Sequence, residues 1–151
     1  MSTRGFEWAY MLDGSNATPL IRDFILSAAA AHKVGDLVTI ASDGDVVQIT
    51  AGTTEVTGVM QEAVALADAS AGTTLAKVAI ATRNQVWRCS MDAATTALIV
   101  GVTKTVDVVD CNTIDADGTL GLMVLVDKSI LDDDGNVLAY VAFTDTTFGN
   151  T

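Results

Sequence analysis

Few residues in this chain could do acid–base or nucleophilic work. There is one histidine, His32, and there are two cysteines, Cys89 and Cys111. A hydrolytic triad needs a base, usually an imidazole, in reach of its nucleophile. His32 closes an alanine run and stands directly before a strand-like segment, the position of a boundary residue. Cys89 ends Val86-Trp87-Arg88-Cys89, and Cys111 ends Val108-Val109-Asp110-Cys111. Neither has a neighbour at metal-ligand or redox spacing. A thiol becomes a nucleophile beside an activating base or in a positive setting, and the lone histidine has no matched partner in the sequence, so both are poor nucleophile candidates. Two reduced thiols acting as small apolar residues are expected; a Cys89–Cys111 disulfide is the alternative.

The carboxylates fall in turns. Asp132-Asp133-Asp134-Gly135-Asn136 and Asp115-Ala116-Asp117-Gly118 lack the alternating ligand positions and the terminal Glu of a calcium loop. Both read as Asp-Gly turns. No glycine-rich phosphate loop is present. The expectation is a protein that is not an enzyme and carries no metal or cofactor.

The 151 residues suit one domain. Eight basic residues face nineteen acidic ones, for a net charge of −11. Such a surface repels a phosphate backbone, which argues against nucleic acid as a partner. From Met91 onward ten aspartates face Lys104 and Lys128, a charge of about −8. That half should face solvent or a basic partner. No apolar run approaches the ~20 residues of a membrane span, so no membrane partner is expected. Glu7 interrupts what would have to be a signal peptide, so no secretory signal is expected.

The elements that must position these residues read as β. Lys33 to Ala65 is the best specified: a strand, a turn at Asp43-Gly44, a strand, a turn at Gly52 and a returning strand. Leu75 to Ile80 and Gln85 to Ser90 alternate and predict a hairpin. Leu120 to Asp127 is the most hydrophobic strand candidate, and Val137 to Thr144 returns from it. Leu20 to His32 predicts a helix, with Thr18 as cap and Pro19 at its first position. Its Ile and Phe content also permits an extended reading. Short strands between turn signals argue for a mainly β chain, a compact barrel or sandwich with little helix. A weak echo relates Gly58 to Asp92 and Gly101 to Asp145 as two β units.

Residues 1–19 read as an extended N-terminal arm ahead of a β domain at 20–151. Phe6, Trp8 and Tyr10 alternate at period two, which predicts one aromatic face. Met11 and Leu12 extend it. The arm either packs on its own domain or anchors to another chain. Aromatic residues and Met favour the second, with Phe6, Trp8, Tyr10, Met11 and Leu12 as contact residues.

Gly35-Asp36-Leu37-Val38-Thr39-Ile40, the hairpin after it, Thr57-Gly58-Val59-Met60 and Gly72-Thr73-Thr74 carry a resemblance. So do Asn112-Thr113-Ile114-Asp115 and Gly121-Leu122-Met123-Val124-Leu125-Val126. Over roughly residues 30 to 145 the chain resembles head-decoration, or cement, proteins of tailed bacteriophages with the lambda-type β-tulip fold. The resemblance implies a single β-tulip-like or barrel-like domain. It implies a homotrimer on the outer surface of a virion capsid, bridging and stabilising major capsid protein subunits. Another phage structural module, a head-fibre base or tail component, is the alternative. A non-viral β-barrel ligand-binding module is a second one.

Overall fold

The hairpin signals of the central stretch are realised in the structure, a computed structural model that describes residues 5–91, 105–115, 121–131 and 137–148. Eleven strands are present among the described residues: β1 (Glu7–Met11), β2 (Ile21–Ile25), β3 (Leu37–Ile40), β4 (Val46–Gln48), β5 (Gly58–Met60), β6 (Leu75–Ile80), β7 (Gln85–Ser90), β8 (Thr105–Asp110), β9 (Thr113–Asp115), β10 (Met123–Leu131) and β11 (Val137–Phe143). One 3-10 turn, Leu66–Asp68, is the helical element among them. The chain is mainly β. The Asp132–Asn136 turn, the apolar run Leu98-Ile99-Val100 and the Asp117-Gly118 turn lie outside the described residues.

Two antiparallel sheets form. One has the order β1-β7-β11-β10-β8-β9, the other β2-β6-β5-β3-β4. Each curls back on itself, β9 towards the end of β7 in the six-stranded sheet and β4 towards the end of β2 in the five-stranded one. A single parallel bridge joins Met91, just past β7, to Ile114 in β9. Another joins Leu26, just past β2, to Val46 in β4. One bridge apiece leaves both sheets short of a closed barrel.

The curl sets the core. Inside the five-stranded sheet lie Leu26, Val38, Val46, Met60, Val64, Ala76 and Val78, with Phe24 and Ile40 packed on them. The larger cluster fills the six-stranded sheet with Trp87, Val106, Ile114, Met123, Leu125, Val141 and Phe143. It also takes Leu37, Val59 and Ala79 from the far face of the other sheet, so one core joins both. At Gly58, where β3, β5 and β6 meet, a Cβ would run into the Ala79 carbonyl oxygen and the Val78 side chain.

Three sequence expectations change. Ile21–Ile25 is a strand, not the start of a helix. Pairing with β6, from Ile21 opposite Ala79 to Ile25 opposite Leu75, outweighs the helical propensity of the following alanines. Those alanines form no helix because their neighbours' polar groups are engaged elsewhere. The Ser27 N–H donates to the Val46 carbonyl at 2.8 Å, and its hydroxyl donates to Asp43 at 2.7 Å.

Second, β6 and β7 are not a hairpin: they belong to different sheets. Gln85, 4% exposed, holds the corner between them. Its Oε1 accepts from the Thr82 N–H (3.0 Å) and the Trp87 indole N–H (3.2 Å), and its Nε2 donates to the Ile80 carbonyl (3.0 Å). The echoed unit from Gly58 to Asp92 therefore straddles both sheets.

Third, the aromatic N-terminal segment is extended, but β1 is an edge strand of the domain's own sheet, paired with β7. The Phe6 N–H donates to the Gly35 carbonyl at 2.8 Å. Gly5 (φ +62°) and Gly35 (φ +95°) sit back to back, and a Cβ on Gly35 would lie 3.0 Å from the Phe6 nitrogen. Only residues free to adopt positive φ without a side chain let the two backbones meet so closely.

Candidate contact surface

The groups that could do chemistry are held in structural roles. His32 is 3% exposed and its Nδ1–H donates to the Ala30 carbonyl at 2.8 Å. Both cysteines are free. The Cys89 thiol donates to the Asn112 carbonyl at 3.2 Å, and burial pushes its pKa well above the ordinary value. Burial, and after it the negative charge of Asp36, push Cys111 up to about 12. Both thiols are therefore protonated at neutral pH, a state that does not attack electrophiles. Asp36, 2% exposed, accepts from the Lys33 N–H (2.9 Å) and Gln48 Nε2 (2.8 Å), which fixes the entry to β3. Among the described residues no three His, Cys, Asp or Glu side chains gather as a metal site would require.

The aromatic segment behaves differently. Phe6 is 2% exposed and its ring lies 6.0 Å from Phe143 in the core. Trp8 packs edge-on against buried Trp87, with centroids 5.4 Å apart. Both follow the reading in which this segment packs on its own domain. Tyr10 and Leu12 do not: they are 42% and 50% exposed. Met11 is half-buried.

A bulge separates the two groups. Trp8 pairs with Trp87 and Tyr10 with Val86, so Ala9 is an extra residue opposite one step of β7. In a regular strand residues i and i+2 share a face. One inserted residue breaks that rule and sends the next side chain to the other side. Trp8 thus points to the core and Tyr10 outward. The single aromatic face expected from the period-two spacing is split.

On the outward face, register builds a row across four strands. Glu7 stands opposite Arg88, Arg88 opposite Tyr140, and Tyr140 opposite Asp127. Arg88 donates to Glu7 at 2.8 Å. That carboxylate, then the Tyr140 hydroxyl, hold the guanidinium even more firmly charged than usual. Tyr10 stacks on Tyr140 with centroids 6.4 Å apart and 29° between the rings. Burial, and then the nearby Asp127 carboxylate, raise the Tyr10 phenol above its ordinary pKa. Trp8, Ala9, Tyr10, Arg88, Asp127 and Tyr140 together line an open groove of about 400 Å³. A smaller one, about 220 Å³, lies between β1 and Ser15–Thr18.

The chain matches no family model, no curated protein and no solved structure.

The surface along β1 thus combines a strand edge that no further strand pairs among the described residues, a tyrosine pair and charges of both signs. This set can hold a partner by side-chain stacking, by charged hydrogen bonds and by strand addition. Of the five contact residues expected from sequence, Tyr10 and Leu12 stand free to do this, Met11 and Trp8 border the grooves, and Phe6 lies in the core. Arg88, Tyr140 and Asp127 join the surface only in the fold. Each comes from a distant strand, and no local signal in the sequence gives the register that aligns them.

Proposed function

We propose that this chain is a structural, non-catalytic virion protein of the tailed-phage decoration type, which binds the outer surface of a capsid and bridges major capsid subunits. The observation that carries the reading is the β1 surface, where Tyr10, Tyr140 and Arg88 border an open groove on a sheet edge and Leu12 is exposed just past the strand. Exposed tyrosine and arginine on a rigid scaffold are the residues that dominate protein–protein contacts. The protonated state of both thiols, buried Cys89 and half-buried Cys111, supports a non-catalytic role. The charge of −11 keeps copies crowded on a shell from collapsing onto one another. Repetition over a lattice turns weak individual contacts into firm attachment, and self-association as a trimer would add to it.

Immunogold labelling of intact virions of the phage that encodes the chain tests this reading. Regular labelling on the head supports it; labelling confined to the tail or absent from virions overturns it. The groove also favours a second reading, a ligand-binding module, because its aromatic lining and paired charges suit a small amphipathic ligand.

A further inference from the structure

The charges along the groove beside β1 do not balance. Glu7 and Arg88 pair across β1 and β7, and Asp127 brings a second carboxylate from β10. Glu7 and Asp127 against Arg88 leave one negative charge in excess. Arg88 is already committed within the chain: its Nε and Nη2 donate to the same Glu7 oxygen at 3.2 and 2.8 Å, and the Tyr140 hydroxyl accepts from it as well. Asp127 is exposed. An ionised carboxylate offers about four lone-pair sites on its two oxygens, so it takes a further donor beside those it already has.

Two rings stand next to that carboxylate. Tyr10 and Tyr140 stack with centroids 6.4 Å apart and 29° between the rings. Tyr10 is 42% exposed, so part of its ring is open to a partner. The negative charge of Asp127 reaches the Tyr10 phenol, which places carboxylate and ring within each other's field. A tyrosine face attracts a cation through its ring quadrupole. The carboxylate at the rim attracts the same cation. Ring and carboxylate thus select positive charge together and turn negative charge away.

We propose that the groove seats an arginine side chain of the partner, its guanidinium laid on the Tyr10–Tyr140 pair and bonded to Asp127. The inference rests on the reading of the β1 surface as a contact surface, and it names what that surface takes. Arginine meets both demands at once. Its planar fork matches the two carboxylate oxygens, and its flat face stacks on a ring. A lysine ammonium is a compact, strongly hydrated point charge, which does each of these less well. The apolar stem of the arginine has Trp8 and Ala9, which also line the groove, to lie against. At about 400 Å³ the groove falls in the range of small-ligand sites, roughly 300–1,000 Å³, which suits one long side chain rather than a whole strand or helix. The net charge of −11 draws a basic partner from a distance, and the groove gives it a place to dock.

The test uses the full chain and a probe that needs no capsid, Nα-acetyl-arginine amide. Followed through the ring resonances of Tyr10 and Tyr140 by NMR, it should bind saturably with a dissociation constant on the order of 1 mM, and more weakly as salt is raised. Asp127→Asn should weaken binding about tenfold, through the lost charge-assisted bonds. Tyr10→Leu keeps apolar bulk without the ring and should weaken it roughly three-fold. The lysine analogue should bind less tightly than the arginine one, and the glutamate analogue should not bind. If circular dichroism shows that Asp127→Asn disturbs the fold, Tyr10→Leu and the three probes decide.

No saturable shift, equal binding of the arginine and lysine probes, or affinity unchanged by both substitutions would overturn the proposal. The two readings fail separately. A chain that takes up the arginine probe but does not cosediment with capsids contradicts the capsid reading and supports the arginine seat. A chain that cosediments but ignores the probe removes the seat and leaves the capsid reading standing.

Discussion

Trp8 and Tyr10 stand two residues apart in β1 and lie on opposite faces of its sheet. The bulge at Ala9 turns one into the core against Trp87 and the other out against Tyr140. A run that reads as one aromatic face is therefore two half-faces with different tasks. The first half holds the N-terminal strand in place. The second half is the exposed part of the candidate contact surface.

Phe6→Ala should destabilise the fold by about 3–5 kcal/mol, the range for emptying a buried aromatic site. Its ring lies against Phe143, and its N–H ties β1 to Gly35. Tyr10→Ala should change stability far less, within about 1 kcal/mol. Urea unfolding followed by tryptophan fluorescence separates the two. Deleting residues 1–13 should likewise destabilise the domain, because it removes an entire strand; a truncated chain with unchanged unfolding midpoint would contradict the placement of β1.

Gln85→Ala should cost about 3 kcal/mol, since the Thr82 and Trp87 N–H groups and the Ile80 carbonyl all lose their partner in a buried corner. Gln85→Glu should recover part of it, because a carboxylate still accepts the two N–H bonds. Thermal unfolding of the two variants measures the difference. Equal midpoints for wild type and Gln85→Ala would remove the corner role.

Gly58→Ala should destabilise by about 3 kcal/mol, because the added methyl meets the Ala79 backbone carbonyl as well as the stiff, β-branched Val78 side chain. Gly14→Ala has open space around its Cβ, so its strain comes from positive φ alone. Its cost should be nearer 1 kcal/mol. Denaturant midpoints of the pair check the order, and a reversed order would contradict the packing of β5 against β6.

The thiols give a pH prediction. The folded-state pKa of Cys111 is raised to about 12 from an ordinary 9.0. Its contribution to stability is therefore complete below about pH 9 and is lost as pH rises through 12. Native protein at pH 8 should react with iodoacetamide far more slowly than protein unfolded in urea. Labelling of Cys111 should still be accelerating above pH 9, whereas a plateau by pH 9 would show a free, ordinary thiol.

Much of the fold is legible in the residues, and the failures have physical causes. Asp43-Gly44 marks its turn because Gly44 takes φ +88° and the Ala41 N–H reaches the Asp45 carbonyl at 2.8 Å. Leu75 to Ile80 alternates because one side meets a core throughout, while the other is exposed at Leu75 and Lys77 and enters the joint core only at Ala79. The β2 strand was obscured because Ala28 to Ala31 favour helix locally, and the pairing that overrides them comes from β6, some fifty residues away. The β6–β7 corner reads as a hairpin because a turn looks the same whether the chain returns to one sheet or crosses to another. At the contact surface, Tyr10 was legible as an aromatic residue without an evident core role. Arg88, Tyr140 and Asp127 were not, because the bulge at Ala9 and the register of four strands exist only in the folded chain.

The central claim is that the outward half of β1 attaches the domain to a capsid. Cosedimentation of purified chain with expanded capsids lacking it measures this directly. Wild type should bind at saturable, regular stoichiometry, and Tyr10→Ala should weaken binding about tenfold or more while remaining folded. Undiminished binding by folded Tyr10→Ala would move the contact away from β1, and no binding by wild type would contradict the capsid reading itself.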